Sequence, residues 1–383
     1  MANFSLQIPH VVRDDEPIIE HSISQNTVRF ENLKLKLIIC AIILFIVLLI
    51  SGISIFLYKQ KSSTFPTASQ SSTLTSTIEN VNLSACRLNP QYRQEGEIVA
   101  GVPYASNDQL NKLRGPTSVY LDSKRNIYVA DTNNNQIRKY LFGQKQHGQI
   151  ILDEKFNIIY PRCLFINQEN DNLYFLDQDS QGYYRVQYFV ENLNKSTILI
   201  NGKKTSSYGM SLDENLNIFI SEFNNHRVVK WLAPNYKDYL VVAGNGTASS
   251  EVNRLSYPRS IFIDHFTNDL YVADGNRIQR WSKNSTKGEI ILQNGDICPS
   301  GIECDCHGNI YISQDKTIKL VNQFTGLTGV DIIGKPYEGS MDERSNTTEY
   351  LFYSEGIYLD KFNGDLYIAD SGFKRIQKNI LIN

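Results

Sequence analysis

This chain of 383 residues lacks an excess of charge of either sign: 38 Lys and Arg stand against 40 Asp and Glu. Nucleic-acid binders carry a basic face, so that class of partner is excluded. Helical periodicity is nearly absent outside one apolar run. No Gly-x-Ser-x-Gly nucleophile motif occurs, which removes the commonest signature of a serine hydrolase. Histidine is scarce, and His147, His226, His265 and His307 fall in turns too scattered to converge on one metal ion. Cysteine is limited to six, with Cys40 inside the apolar run. Cys86, Cys163, Cys298, Cys304 and Cys306 remain, an odd set that cannot pair entirely within itself. Cys304-Asp305-Cys306 is too isolated for a metal knuckle, and no pairing follows from the spacing. No cofactor is expected.

The apolar run spans residues 37–57, 21 residues without a charge. At about 1.5 Å per residue it crosses a hydrocarbon core of roughly 30 Å, so it reads as a transmembrane signal-anchor helix. It is too long and too deep in the chain for a cleaved signal peptide, and no small-residue cleavage site follows. Residues 1–36 are polar with an acidic cluster at Asp14-Asp15-Glu16, the composition of a disordered tail. Arg29, Lys34 and Lys36 precede the run and Lys59 and Lys61 follow it, which favours a cytoplasmic amino terminus. Residues 58–95 form a stalk whose stretch 62–77 holds 11 Ser and Thr in 16 positions, as O-glycosylated stalks do. Asn-linked sequons lie at Asn82, Asn194, Asn245, Asn284 and Asn346. The expected protein is single-pass and type II, in the plasma membrane or secretory pathway, with everything after residue 57 outside the cell or in a lumen.

Beyond residue 95 one pattern recurs six times. Leu270-Tyr271-Val272-Ala273 is a β-forming run, Asp274-Gly275-Asn276 breaks it, and Arg277 to Trp281 alternates apolar with polar. The equivalent aromatic anchors are Tyr128, Tyr174, Phe219, Tyr271, Tyr311 and Tyr367, spaced by 46, 45, 52, 40 and 56 residues. The first run does not alternate, so it must be buried on both faces between neighbouring copies. Periods in the forties with several strands per unit predict a six-bladed β-propeller, all-β in class. Five outer strands follow the six hairpins, and the sixth stands at the front. Glu97-Ile98-Val99-Ala100-Gly101 matches Leu240-Val241-Val242-Ala243-Gly244 and is expected to close the last blade.

With Asn-[Ile/Leu]-Tyr-[Val/Ile]-Ala-Asp before Asn-x-Arg-[Ile/Val]-x-[Lys/Arg]-[Trp/Tyr], and a closing Val-Ala-Gly, residues 96–383 resemble the NHL-repeat family. Units two and five depart from it at Leu176-Asp177-Gln178-Asp179 and Ser313-Gln314-Asp315-Lys316. The resemblance implies the propeller and is weak about function. NHL propellers of tripartite-motif proteins bind RNA through basic faces, which this neutral chain lacks. Some six-bladed propellers are lactonase-like hydrolases or amidating lyases, with metal held by His or carboxylates where the first strands begin. Here those positions read Thr117, Arg162, Tyr208, Arg259, Ser300 and Glu355, with no His and one carboxylate.

The hairpin tips Asp131, Asp177, Glu222, Asp274, Asp315 and Asp370 read as turn caps paired with the next strand's base, as Glu222 with Arg227, Asp274 with Arg277 and Asp370 with Arg375. The expected function is a non-catalytic extracellular binding module for a protein or glycan ligand, with a divergent propeller hydrolase or lyase as the alternative. Connections 101–116, 244–258 and 334–354 are long and share a face with the channel mouth; the connections 153–160, 201–207 and 293–298 are short. Tyr104, Arg114, Arg254, Tyr257, Tyr337 and Tyr350 from the long loops, with Arg162 and Arg259 at the mouth, are the candidate ligand residues.

Overall fold

The computed structural model describes residues 87–102, 111–144, 148–293, 299–322, 325–335 and 347–382. Tyr104, Tyr337, Asn82, Asn346, the tail 1–36, the apolar run 37–57 and most of the stalk lie outside them. Among the described residues no helix is long and apolar enough to cross a membrane.

The chain opens on β1 (Glu97–Gly101) and then builds blade 1 from β2 (Pro116–Leu121), β3 (Ile127–Asp131), β4 (Gln136–Tyr140) and β5 (Gln149–Leu152). Blade 2 is β6 (Cys163–Asn167), β7 (Asn172–Gln178), β8 (Tyr183–Val190) and β9 (Lys195–Lys204). Blade 3 is β10 (Met210–Leu212), β11 (Ile218–Glu222), β12 (Arg227–Trp231) and β13 (Tyr239–Gly244). Blade 4 is β14 (Pro258–Ile263), β15 (Leu270–Asp274), β16 (Arg277–Trp281) and β17 (Glu289–Gln293). Blade 5 is β18 (Pro299–Cys304), β19 (Ile310–Gln314), β20 (Thr317–Val321) and β21 (Val330–Ile333). Blade 6 has β22 (Ser354–Leu359), β23 (Leu366–Asp370) and β24 (Arg375–Asn379), and its fourth strand is β1.

Every sheet is four-stranded and antiparallel. β1 pairs with β24 in the expected way, Glu97 opposite Lys378 and Gly101 opposite Arg375. The closure runs further than the strand alone: Tyr92 bridges Leu381, its hydroxyl donates to the Gly364 carbonyl at 3.0 Å, and Arg93 N–H donates to Ile380 O at 3.0 Å.

The non-alternating runs are the second strands, and β3, β11, β15 and β23 are buried at all five positions. Apolar clusters lie between blades rather than within them. Val228 and Ala243 of blade 3 pack on Ile261, Leu270 and Trp281 of blade 4, and Tyr311 and Leu320 of blade 5 pack on Leu359 and Ile368 of blade 6. Each blade therefore buries its two faces only against its neighbours, which is why one hairpin of this sequence could not fold alone.

Close approach at the axis needs small residues. A Cβ at Gly209 would stand 2.4 Å from the Arg259 carbonyl of the next blade, and one at Gly356 would stand 2.6 Å from the Thr117 carbonyl. Hydroxyls complete the joins: Ser221 Oγ donates to Arg259 O at 2.5 Å, Thr132 Oγ1 to Pro161 O at 2.7 Å, and Ser313 Oγ to Glu355 O. Cys163 and Cys304 are free thiols, whereas Cys306 is disulfide-bonded, so its partner lies outside the described residues.

Candidate functional site

The tips of the second strands behave as structural caps. Asp370 and Arg375 are both wholly buried and pair at 2.9 Å; Asp274 meets Arg277 at 2.7 Å, Glu222 meets Arg227 at 2.6 Å, and Asp177 meets Arg185. Burial outweighs the partner charge and pushes Asp177 and Asp370 up to about 6.

Blade 5 corrects the expectation. Asp315 is exposed, and Gln314 is the residue opposite Thr317, as Asp274 is opposite Arg277. The two-residue turn Asp315-Lys316 aligns with Gly275-Asn276, so the acid sits one place too late.

The same arginines strap the long connections down. Arg277 Nη2 donates to Arg254 O at 3.0 Å and Arg277 Nη1 to Ser250 O; Arg375 donates to Thr347 O at 2.7 Å and Tyr350 O at 2.9 Å. Arg254 itself is half-buried and pairs with Glu251 at 3.2 Å. Arg254 and Tyr350 thus belong to segments anchored on blade flanks. Arg114 is exposed, with its own N–H on Asp131 Oδ1 at 2.7 Å. Asn194, Asn245 and Asn284 are exposed, open to an attached glycan.

The channel mouth is where the candidates come together. The Arg162 and Arg259 guanidinium carbons lie 4.6 and 5.1 Å from the centre of the same ring, Tyr208. Arg259 also reaches Glu355 at 3.4 Å. Glu355 sits above the ordinary carboxylate range because burial outweighs Arg259, Arg162 and a bond from Ser300. Tyr208 then starts an aromatic chain, to Phe223 at 5.2 Å, on to Tyr257 at 5.0 Å, and to His226, 4.4 Å from Tyr257. Tyr257 is 47% exposed, so it does not plug a blade junction.

Two tyrosines that pattern reading missed occupy the same place in their blades. Tyr160, Tyr257 and Tyr353 each stand two residues before a mouth residue and have φ of 48, 56 and 54°. All are exposed, at 41, 47 and 57%. Non-glycine residues hold this left-handed conformation at a cost of roughly 1–2 kcal/mol, and such strain gathers at functional sites. The repeated pair Tyr160-Pro161 and Tyr257-Pro258 was the available signal.

Below the mouth lies a second tier. β2 and β18 share one burial pattern, in which only the second and fifth residues are partly open. In a regular strand residues three apart face opposite ways. Here a bulge at the start of β2, β14, β18 and β22 inserts one residue and turns both to the lumen. Beneath Thr117, Arg259, Ser300 and Glu355 therefore stand Tyr120, Phe262, Glu303 and Tyr358, and Phe165 of blade 2 lies against Tyr120. Tyr120 touches Phe165 at 5.4 Å and Tyr358 at 4.4 Å, closing one side of the lumen.

Glu303 is felt by Tyr120, Cys163 and Tyr358 on three other blades, each pushed up further by its charge. Burial raises Glu303 to about 8 and the Cys163 thiol to about 11, which leaves that thiol protonated. Among the described residues no three His, Cys, Asp or Glu side chains are grouped to hold a metal ion. The opposite face has its own exposed aromatics, Phe142, Phe266 and Phe362, with Arg125 between Phe142 and Phe362 at 4.8 and 5.6 Å.

A family model, the NHL repeat, matches residues 113–140, which hold the first three strands of blade 1. Blade 1 thus carries an NHL repeat, within a six-bladed β-propeller. No curated protein matches it in sequence. Solved structures similar to this propeller include an auxiliary nutrient binding protein from Bacteroides thetaiotaomicron, 14% identical over 76% of this chain and 78% of that one, TM-score 0.57. A virginiamycin B lyase from Staphylococcus aureus is 12% identical over 76% and 100%, TM-score 0.51. A gluconolactonase from Xanthomonas campestris is 11% identical over 78% and 100%, TM-score 0.54. At such identities the likeness shows the fold alone, which hosts binding and catalysis alike.

Proposed function

We propose that this propeller is a non-catalytic recognition module. It is held outside the cell or in a lumen by a membrane anchor at residues 37–57, and it takes a protein or carbohydrate ligand at its channel mouth. The observation that carries the reading is the ring of exposed tyrosines, Tyr160, Tyr257 and Tyr353, around the stack of Arg162 and Arg259 on Tyr208. Tyrosine and arginine on a rigid scaffold are the side chains that dominate recognition surfaces. A planar ring also stacks on the apolar face of a sugar. The disulfide at Cys306 and the exposed sequons at Asn194, Asn245 and Asn284 support an oxidising, glycosylating compartment.

Capture of glycans and cell-surface proteins by the soluble propeller, residues 80–383, tests the reading. Binding should be lost in Tyr257→Ala and Arg259→Ala with melting temperature unchanged. Turnover of a lactone panel would overturn the non-catalytic reading.

A further inference from the structure

Two ionisable side chains in the lumen make no ion pair among the described residues. Arg162 forms no ion pair among them; its charge is felt by Glu355, which pairs with Arg259 at 3.4 Å. Glu303 has neither a hydrogen-bond nor an ion-pair partner among them, although it is half-buried on the inner strand, in the same tier as Tyr120, Phe165, Phe262 and Tyr358. A carboxyl largely withdrawn from water and without a partner keeps its proton unless a cation reaches it, so the arrangement offers a site to one. Aromatic faces around a carboxylate suit an organic ammonium, because the rings attract the cation after water is stripped from it. Above it the mouth presents the opposite sign. The tiers are about three residues apart along β18, roughly 7–10 Å at about 3.3 Å per residue.

We propose that the lumen binds a small zwitterion ammonium-first, its ammonium on Glu303 within the aromatic tier and its anionic end on Arg162 and Arg259. The inference rests on the mouth being the binding face and names the ligand class the lumen would accept there. The titratable groups that feel the charge of Glu303 are Tyr120, Cys163, Cys304 and Tyr358, Lys361 acts on it in turn, and Arg162, Arg259 and Glu355 stand at the mouth. The thiols and phenols among them are all raised and stay neutral near pH 7, so Glu303 is the group whose ionisation the ligand must secure.

The probe is ω-aminohexanoate, titrated calorimetrically into the full chain in detergent, with hexanoate and hexylamine as half-molecules. The zwitterion should bind at least about tenfold more tightly than either half, as loss of a charge-assisted bond implies. Glu303→Gln and Arg162→Gln should each weaken it at least about tenfold, and Tyr358→Leu several-fold. Affinity should rise with pH through the neutral range in the parent and stay flat in Glu303→Gln, a readout that a merely structural role would not move. No binding of ω-aminohexanoate, or equal binding by hexanoate, overturns the inference even where Glu303→Gln fails to fold. A sugar or protein ligand lost in Arg259→Ala, with ω-aminohexanoate not bound, would leave the mouth as the binding face and sink this inference alone.

Discussion

At the scale of single residues, the lumen is governed by where charge is stranded. Burial raises Glu303 from an ordinary 4.5 to about 8. Between those values the folded chain keeps a proton that the unfolded chain has released, so stability is lost as pH rises through the window. Glu303→Gln has no such proton. Parent and variant should melt alike below about pH 4, and the variant should melt higher by about pH 8; a parent that gains on the variant as pH rises would contradict the assignment. Arg375 tests the blade tips. Its removal leaves Asp370 buried and unpaired and frees the carbonyls of Thr347 and Tyr350, so Arg375→Ala should cost about 3–5 kcal/mol in denaturant unfolding. A loss below about 1 kcal/mol would mean that Asp370 stays neutral. Arg162 and Arg259 could be placed from sequence because each opens a first strand. Glu303 could not: period-two reading sets it on the other face from Ser300, and the bulge that reverses this leaves no mark in composition.

Among elements, the second strands were the most legible, since burial on both faces removes the polar alternation of ordinary strands. β1 was found by the same logic, through its likeness to β13 and the missing outer strand. Its removal takes about four ladder bonds, the burial of Ala100 and the ion pair of Glu97 with Lys378 at 3.2 Å. At roughly 1 kcal/mol per bond, about 1 for the Ala100 methyl and up to about 1 for the ion pair, a chain beginning at Val102 should lose at least about 5–6 kcal/mol. Equal melting of that chain and one beginning at residue 80 would contradict ring closure. The segment around Tyr92, which lengthens the join, was not legible, because a lone bridge has no periodicity. Nor was the tethering of the long connections, for loop length says nothing of the Arg277 and Arg375 side chains that collect their carbonyls.

At the scale of the molecule, the disc offers a ligand two unequal faces. One gathers Arg162, Tyr208, Arg259 and three strained, exposed tyrosines; the other presents Phe142, Phe266 and Phe362, with Arg125 against two of them. Topology is tested separately. With the amino terminus inside, a carboxyl-terminal tag on intact cells should be open to protease and the protein should shift on removal of Asn-linked glycan. A protected tag with no shift would reverse the orientation. The central claim, that the tyrosine-ringed mouth is the recognition face, meets its most direct test in the affinity of the captured ligand for variants of the two faces. Tyr160→Ala, Tyr257→Ala and Arg259→Ala should each weaken binding at least about tenfold while Lys124→Ala, Phe266→Ala and Phe362→Ala leave it unchanged, all with the parent's melting temperature. Loss confined to Phe266→Ala and Phe362→Ala, with the mouth variants binding normally, would contradict the account.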